Sequence, residues 1–190
     1  MKPHDEILIL DFGSQYTQLI ARRIRECRVY CEIVPFNVPL DAVRRRPLKG
    51  VVLSGGPMSV LSPDSPVCDP GVFELGVPVL GICYGLQLTT RLLGGEVRQG
   101  DRREYGRAAI RRVHSSPLLD GVPDETVVWM SHGDDVSRLP PDFQVVAASD
   151  HAVAAAEQPG RRLFGLQFHS EGAPMRHGMR ILRKLLFGTA

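Results

Sequence analysis

Apolar and polar positions fall into alternating blocks along the first half of the chain. Ile7–Leu10 is a continuous apolar run, as in a strand covered on both faces. Asp11-Phe12-Gly13-Ser14 breaks it, and Tyr16, Leu19, Ile20 and Ile24 then recur at helical spacing. That spacing predicts a helix capped at or near Ser14 and running to about Glu26. Val29–Val34 reads as a second strand, Leu40–Arg46 as a short helix stopped by Pro47, and Gly50–Leu53 as a third strand. Residues 57–70 carry four prolines and read as a loop, with a helix remnant at Val72–Leu75. Val77–Leu80 is a fourth strand, and Leu86, Leu88, Leu92 and Leu93 mark the next helix, closed by Gly94-Gly95. Strand and helix alternate throughout, the pattern of a parallel sheet with crossover helices.

The second half reads differently. Glu96–Val113 is charged, with scattered β-type residues. Thr126–Met130, Gln144–Ala148, Val153–Glu157 and Leu163–Phe168 are short strands between Pro, Gly and Asp turns. Residues from Ala173 to about Phe187 form a terminal amphipathic helix. The expectation is one α/β domain over residues 1–190, with a parallel or mixed sheet and helices on both faces.

Composition narrows the function classes. With 190 residues and 43% hydrophobic content, the chain can bury a full core without staples. A net charge of +2 argues against a dedicated nucleic-acid binder. No apolar run approaches the length of a membrane span or a signal-peptide core, so a cytoplasmic location is expected. Four cysteines in a reducing compartment then stay free. Cys27 and Cys31 lack a second Cys/His pair and read as packing residues, so no metal site is expected. The arginines between Arg102 and Arg112 form the cluster with least local compensation, a candidate docking surface.

The chemistry concentrates in three segments. Gly81-Ile82-Cys83-Tyr84-Gly85 has the form G-x-C-x-G between an apolar strand and a helix, a thiol version of the nucleophile elbow. A nucleophile on so sharp a turn takes strained dihedrals, and glycines two residues away on each side relieve the crowding. The helix that follows points its N–H groups and positive dipole end at the sulfur, which favours thiolate. A buried core cysteine is the bland alternative. A thiol nucleophile needs a base and an orienter. His169 and Glu171 follow a predicted strand, and in extended chain residues two apart face the same way. His132, in Ser131-His132-Gly133-Asp134, is the rival base. Ser54-Gly55-Gly56-Pro57 follows the third strand, where an N–H of Gly56 could stabilise an oxyanion. There is no G-x-x-x-x-G-K-[ST] and no G-x-G-x-x-G opening a helix, so nucleotide binding by this chain has no motif behind it.

Together, Gly81-Ile82-Cys83-Tyr84-Gly85-Leu86-Gln87, Ser54-Gly55-Gly56-Pro57 and Gln167-Phe168-His169-Ser170-Glu171 resemble the class I glutamine amidotransferases. Within that class the run Ile9–Arg23, Glu104-Tyr105-Gly106-Arg107-Ala108 and Trp129-Met130-Ser131-His132-Gly133-Asp134 are similar to the glutaminase part of the GMP synthetases. The likeness extends from about Ile7 to Leu186. It implies a flavodoxin-like fold and a Cys83–His169–Glu171 triad that hydrolyses glutamine to glutamate and ammonia. It implies an oxyanion hole from backbone N–H groups of Gly56 and Tyr84. It assigns glutamine binding to Gly55, Gln87 and the Ser131-His132-Gly133-Asp134 loop, which removes His132 as base.

The same resemblance implies no cofactor in this chain. Its ammonia would go to a synthetase that binds ATP, Mg²⁺ and XMP, whose ATP pyrophosphatase and dimerisation regions are absent from the sequence. The chain would then be an excised glutaminase domain or the small subunit of a two-subunit enzyme. Two departures stand out. Ser170 replaces the proline usual between the histidine and glutamate, and Gly172-Ala173-Pro174-Met175 replaces the usual Val-x-His-Thr. Two other readings remain: a γ-glutamyl hydrolase on the same fold, or a non-catalytic module that kept it.

Overall fold

The computed structural model describes residues 5–171 and 177–187; for 101–103 and 185–187 only the backbone is described. Thirteen described elements follow in chain order: β1 (Glu6–Asp11), α1 (Thr17–Glu26), β2 (Tyr30–Pro35), α2 (Leu40–Arg44), β3 (Leu48–Leu53), β4 (Val79–Ile82), α3 (Tyr84–Leu92), β5 (Glu96–Arg112), β6 (Glu125–Arg138), β7 (Gln144–Ala148), β8 (Val153–Gln158), β9 (Leu163–Leu166) and α4 (Gly178–Phe187). The expected helix remnant near Val72 is a 3-10 helix, Pro70–Glu74.

Among the described residues the strands form one sheet in the order β2-β1-β3-β4-β9-β8-β7-β5-β6. The first five are parallel and the rest antiparallel. β9 is the junction. It runs parallel to β4 and antiparallel to β8, so the end of the chain returns to the middle of the sheet. Strand side chains alternate between faces, and the core divides accordingly. Ile7 and Ile9 pack with Ile20 and Ile24 of α1 and Ile181 and Leu182 of α4 on one side. Leu8 and Leu10 pack with Val43 of α2 and Leu88 of α3 on the other. This is the expected α/β sheet with helices on both faces.

Three expectations change in detail. Ser14 does not cap α1; Tyr16 does, without a side-chain bond, while the Ser14 hydroxyl accepts the Tyr16 N–H at 3.0 Å in the turn before the helix. Asp11 ties that turn to the helix start, accepting from Gly13 N–H at 2.9 Å and the Thr17 hydroxyl at 2.7 Å. The charged segment from Glu96 is a 17-residue strand paired with β6, and part of its charge is compensated across the ladder. Arg111 pairs with Glu125 at 3.3 Å and Arg112 with Asp124. The side chains of Arg102 and Arg103 lie outside the described residues, while Arg107 is exposed. The Gly172–Met175 segment and His4 also lie outside them, so α4 is described only from Gly178.

Close approach of α3 to the sheet depends on missing side chains. Gly81 of β4 is paired with Gly165 of β9. A Cβ on Gly81 would lie 2.5 Å from the Gly85 backbone, and one on Gly165 would overlap Leu86 Cδ1. A Cβ on Gly85 would overlap the Leu53 carbonyl oxygen. Gly85→Ala is therefore expected to destabilise the protein by about 2–3 kcal/mol, since overpacking against backbone cannot relax by a side-chain rotation. Gly160→Ala, whose new methyl would come no nearer than 3.7 Å to a neighbouring atom, should stay within about 0.5 kcal/mol. Urea unfolding of the two variants checks this; equal midpoints would contradict it.

Candidate active site

Cys83 occupies the single residue between β4 and α3. Its φ of +52° and ψ of −106° form a combination that L-residues rarely adopt. Such a conformation costs on the order of 1–3 kcal/mol and persists only where the surroundings over-determine it. Here the Cys83 N–H donates to the Leu166 carbonyl of β9 at 2.6 Å, and the Cys83 carbonyl accepts the Gln87 N–H at 3.2 Å. Cys83 is the N-cap residue of α3, next in chain to the free N–H groups of the first helical turn, and its side chain makes no hydrogen bond to them. Its thiol donates to the Ser131 carbonyl at 3.5 Å.

His169 lies just beyond β9, the neighbour of β4, so the sheet order brings it to Cys83. The strand ends at Leu166, and His169–Glu171 forms a turn rather than the expected extended segment. The His169 N–H donates to the Trp129 carbonyl at 3.0 Å. Its Nδ1 lies 2.8 Å from Glu171 Oε1. Burial disfavours the charged imidazole, but hydrogen bonds to Cys83 and Glu171, with the charge of both, more than offset this and push its pKa up to about 10. Gly55 packs behind the pair; a Cβ there would lie 3.3 Å from His169 Cε1 and 3.8 Å from Cys83 Cβ.

Both side chains open into a cleft of about 820 Å³. Gly56, Gln87, Ser131, His132, Gly133 and Asp134 also line it, whereas Gly55, Tyr84 and Glu171 do not. The Tyr84 ring turns into the core, 5.4 Å from Phe12, and its hydroxyl donates to Pro66 O at 2.6 Å, so only its backbone can serve the site. Ser131–Asp134 is not a loop. It is the middle of β6, held in the ladder against Gln99, Glu104 and Tyr105. Gln87 Nε2 donates to the Asp134 carbonyl at 2.8 Å and to Gln167 Oε1 at 3.2 Å, tying α3 to that strand. His132 is buried with both ring nitrogens engaged: Nε2 with Glu104 at 3.2 Å and Nδ1 with Asp135 at 3.3 Å. Neither nitrogen is available to the thiol.

Three residues at the site gave no separate signal in the sequence. The Tyr16 ring centroid lies 4.9 Å from that of His169. Arg23 Nε donates to the Glu171 carbonyl at 3.3 Å. The Ser59 hydroxyl donates to Asp134 Oδ2 at 2.5 Å and fastens the proline-rich loop to β6. Helical spacing marks Tyr16 only as an apolar contact, and nothing local to Arg23 or Ser59 points to residues so distant in the chain.

A thiol on a strained turn at the start of a helix and an imidazole tied to a carboxylate can together cleave an amide by acyl transfer to sulfur. The class-I glutamine amidotransferase family matches residues 8–188, and the chain belongs to that family. It is similar to the GMP synthase [glutamine-hydrolyzing] of Symbiobacterium thermophilum, 50% identical over 98% of this chain and 37% of that protein. The corresponding protein of Thermomicrobium roseum is 51% identical over 96% of this chain and 34% of its own length. The chain thus spans little more than a third of these curated relatives. Among solved structures, a putative GMP synthase subunit from Thermoplasma acidophilum superposes with a TM-score of 0.84 at 28% identity, covering 100% of this chain and 95% of that one. A glutamine amidotransferase from Thermotoga maritima, at 22% identity and a TM-score of 0.76, shares the fold.

The raised pKa of His169 has a definite sign. Above its ordinary value of 6.5, the folded state holds the proton more tightly than the unfolded chain. The stability this contributes is complete below about pH 6.5 and is lost as pH rises through about 10. Glu171→Gln removes the carboxylate charge, so the imidazolium should lose its proton at lower pH. The alkaline limb of kcat/KM for amide hydrolysis should shift downward by about one pH unit or more, the scale set by one nearby opposite charge. An unmoved limb would show that Glu171 does not govern His169.

Proposed function

We propose that this chain is a single glutaminase domain that supplies ammonia for the amination of XMP to GMP. The near-end-to-end likeness to glutamine-hydrolysing GMP synthases, at half identity, is the observation that carries this reading. The Thermoplasma acidophilum chain, described as a GMP synthase subunit and nearly equal in extent, supports the same reading.

In this reading Cys83 attacks the side-chain carbonyl of glutamine as thiolate, forming the S–C bond. The N–H groups of Gly56 and Tyr84 hold the resulting oxyanion. His169 donates its proton to the amide nitrogen as the C–N bond breaks, and ammonia leaves. Neutral His169 then takes a proton from water, which attacks the thioester. The S–C bond breaks, thiolate returns to Cys83, and glutamate departs. Glu171 keeps the imidazole oriented and stabilises its charged form. Gly55 backs the thiol and imidazole. Gln87, Ser131, His132, Gly133 and Asp134 form the glutamine side of the cleft, with His132 held as a structural member of β6.

The remaining chemistry belongs to a synthetase portion or partner carrying ATP, Mg²⁺ and XMP. The cytoplasm, where thiols stay reduced, is the proposed location. No described helix is long and apolar enough to cross a membrane.

Cys83→Ala should abolish glutamine hydrolysis, measured as ammonia release, without altering the far-UV circular dichroism. A glutamine-like diazo-ketone should label Cys83 and spare Cys68, which is buried with its thiol pushed up to about 12. Activity surviving Cys83→Ala would overturn the mechanism. Preferential cleavage of γ-glutamyl peptides would favour a γ-glutamyl hydrolase.

Coupling gives a separate expectation. The chain alone should hydrolyse glutamine slowly, and a synthetase portion loaded with ATP, Mg²⁺ and XMP should raise the rate at least tenfold, a modest coupling by allosteric standards. Arg107→Glu, on the exposed face of β5, should weaken that stimulation and leave the basal rate alone. A basal rate that the partner leaves unchanged would identify a stand-alone glutaminase.

A further inference from the structure

The turn that carries the proposed base is tied by the contact of His169 Nδ1 with Glu171 Oε1, but it has no proline to lock its backbone. Ser170 stands between His169 and Glu171, and serine leaves φ free where a proline would lock it. Yet the turn is enclosed: His169, Ser170 and Glu171 are 5%, 2% and 1% exposed. Besides the contacts with Trp129, Cys83 and Gly55, two side chains from the start and body of α1 reach it. The Tyr16 ring lies against the imidazole, with centroids 4.9 Å apart and planes tilted by 49°. Arg23 Nε donates to the Glu171 carbonyl. Tyr16 caps α1 and Arg23 comes two helical turns later, so both lie on the same side of the helix.

α1 is itself anchored. Ile20, Ala21 and Ile24 are fully buried under the sheet. Asp11 fixes its first turn through Thr17, and Glu26 holds the Arg23 guanidinium at 2.9 Å. The helix can therefore transmit the rigidity of the core to a turn at the end of a central strand.

We infer that α1 is the positioning element of this catalytic machinery: Tyr16 covers one face of the His169 imidazole while Arg23 holds the Glu171 backbone, and together they fix the orientation in which the base meets Cys83. Neither side chain is assigned a contact with the reacting atoms, so both act through His169 and Glu171. An aromatic face also attracts the positive charge that His169 carries during the reaction. The inference rests on the glutaminase reading and adds two residues to it.

Tyr16 also lines the cleft, which offers a competing role. A mere wall residue would change KM and leave the titration of His169 untouched. The test combines two measurements on the 190-residue chain and its variants Tyr16→Phe, Tyr16→Leu, Arg23→Lys and Arg23→Met. The first is titration of the His169 imidazole by nitrogen-detected NMR, which needs no turnover. The second is kcat and KM for glutamine across pH, with thermal unfolding as the control for folding. Tyr16→Leu should lower the His169 midpoint, and Tyr16→Leu and Arg23→Met should each reduce kcat about tenfold, with KM changed less than about threefold. These magnitudes correspond to weakening one cation–π or charge-assisted contact. Tyr16→Phe and Arg23→Lys should recover most of the lost kcat. Folded variants with wild-type midpoint and kcat would overturn the inference. So would a change confined to KM, or a loss that tracks only with melting temperature. Cys83→Ala, run in parallel, separates the two levels: if it keeps activity, the glutaminase reading fails, and if it is inactive while the α1 variants match wild type, only the role of α1 fails.

Discussion

The backbone of Cys83 is the constraint around which the site is organised. Its dihedrals are unfavourable for any residue with a side chain, and the structure holds them by hydrogen bonds at both ends of the peptide unit. The N–H reaches across to Leu166 of the neighbouring strand, while the carbonyl opens the first turn of α3. Three glycines let that helix sit directly on β3, β4 and β9. Relaxing the turn would rotate the sulfur away from His169 and the helix N–H groups away from the cleft. The strain is thus bound up with packing far larger than the site itself.

The imidazole depends on a second, independent set of supports. Glu171 lies at one nitrogen, Tyr16 against a face and Gly55 beneath. Each comes from a different part of the chain. His132, the nearest alternative, is buried between Glu104 and Asp135 and serves the β5–β6 ribbon instead. Two histidines near one thiol are told apart by which of their nitrogens are already occupied.

Much of this was legible in the sequence. Continuous apolar runs announced the parallel strands, because a strand covered on both faces needs no alternation. The glycine spacing around Cys83 announced the turn, because steric crowding there leaves few other residues possible. The long β5–β6 ribbon was less readable. Its residues face solvent over much of their length, so the apolar signal is diluted, and Ser131–Asp134 looked like a loop because Gly133 and Asp134 disfavour strands in isolation. Pairing with Gln99, Glu104 and Tyr105 overrides that preference. Contacts such as Arg23 to Glu171 had no local sign at all, since they join the first helix to the turn that follows β9.

The position of β9 has a consequence for biosynthesis. The proposed nucleophile and base follow adjacent strands, β4 and β9, but β9 is the last described strand in chain order, and it lies between β4 and β8 rather than at an edge. Such non-local pairing pays its loop-closure entropy late in folding. A chain emerging from the ribosome can assemble β1 to β4 with Cys83 already on its turn, yet that thiol has neither Leu166 to hold its backbone nor His169 beside it. The centre of the sheet stays open until β9 has been made. Competence therefore arrives in one step with completion of the fold, and unfinished chains carry a cysteine without its machinery.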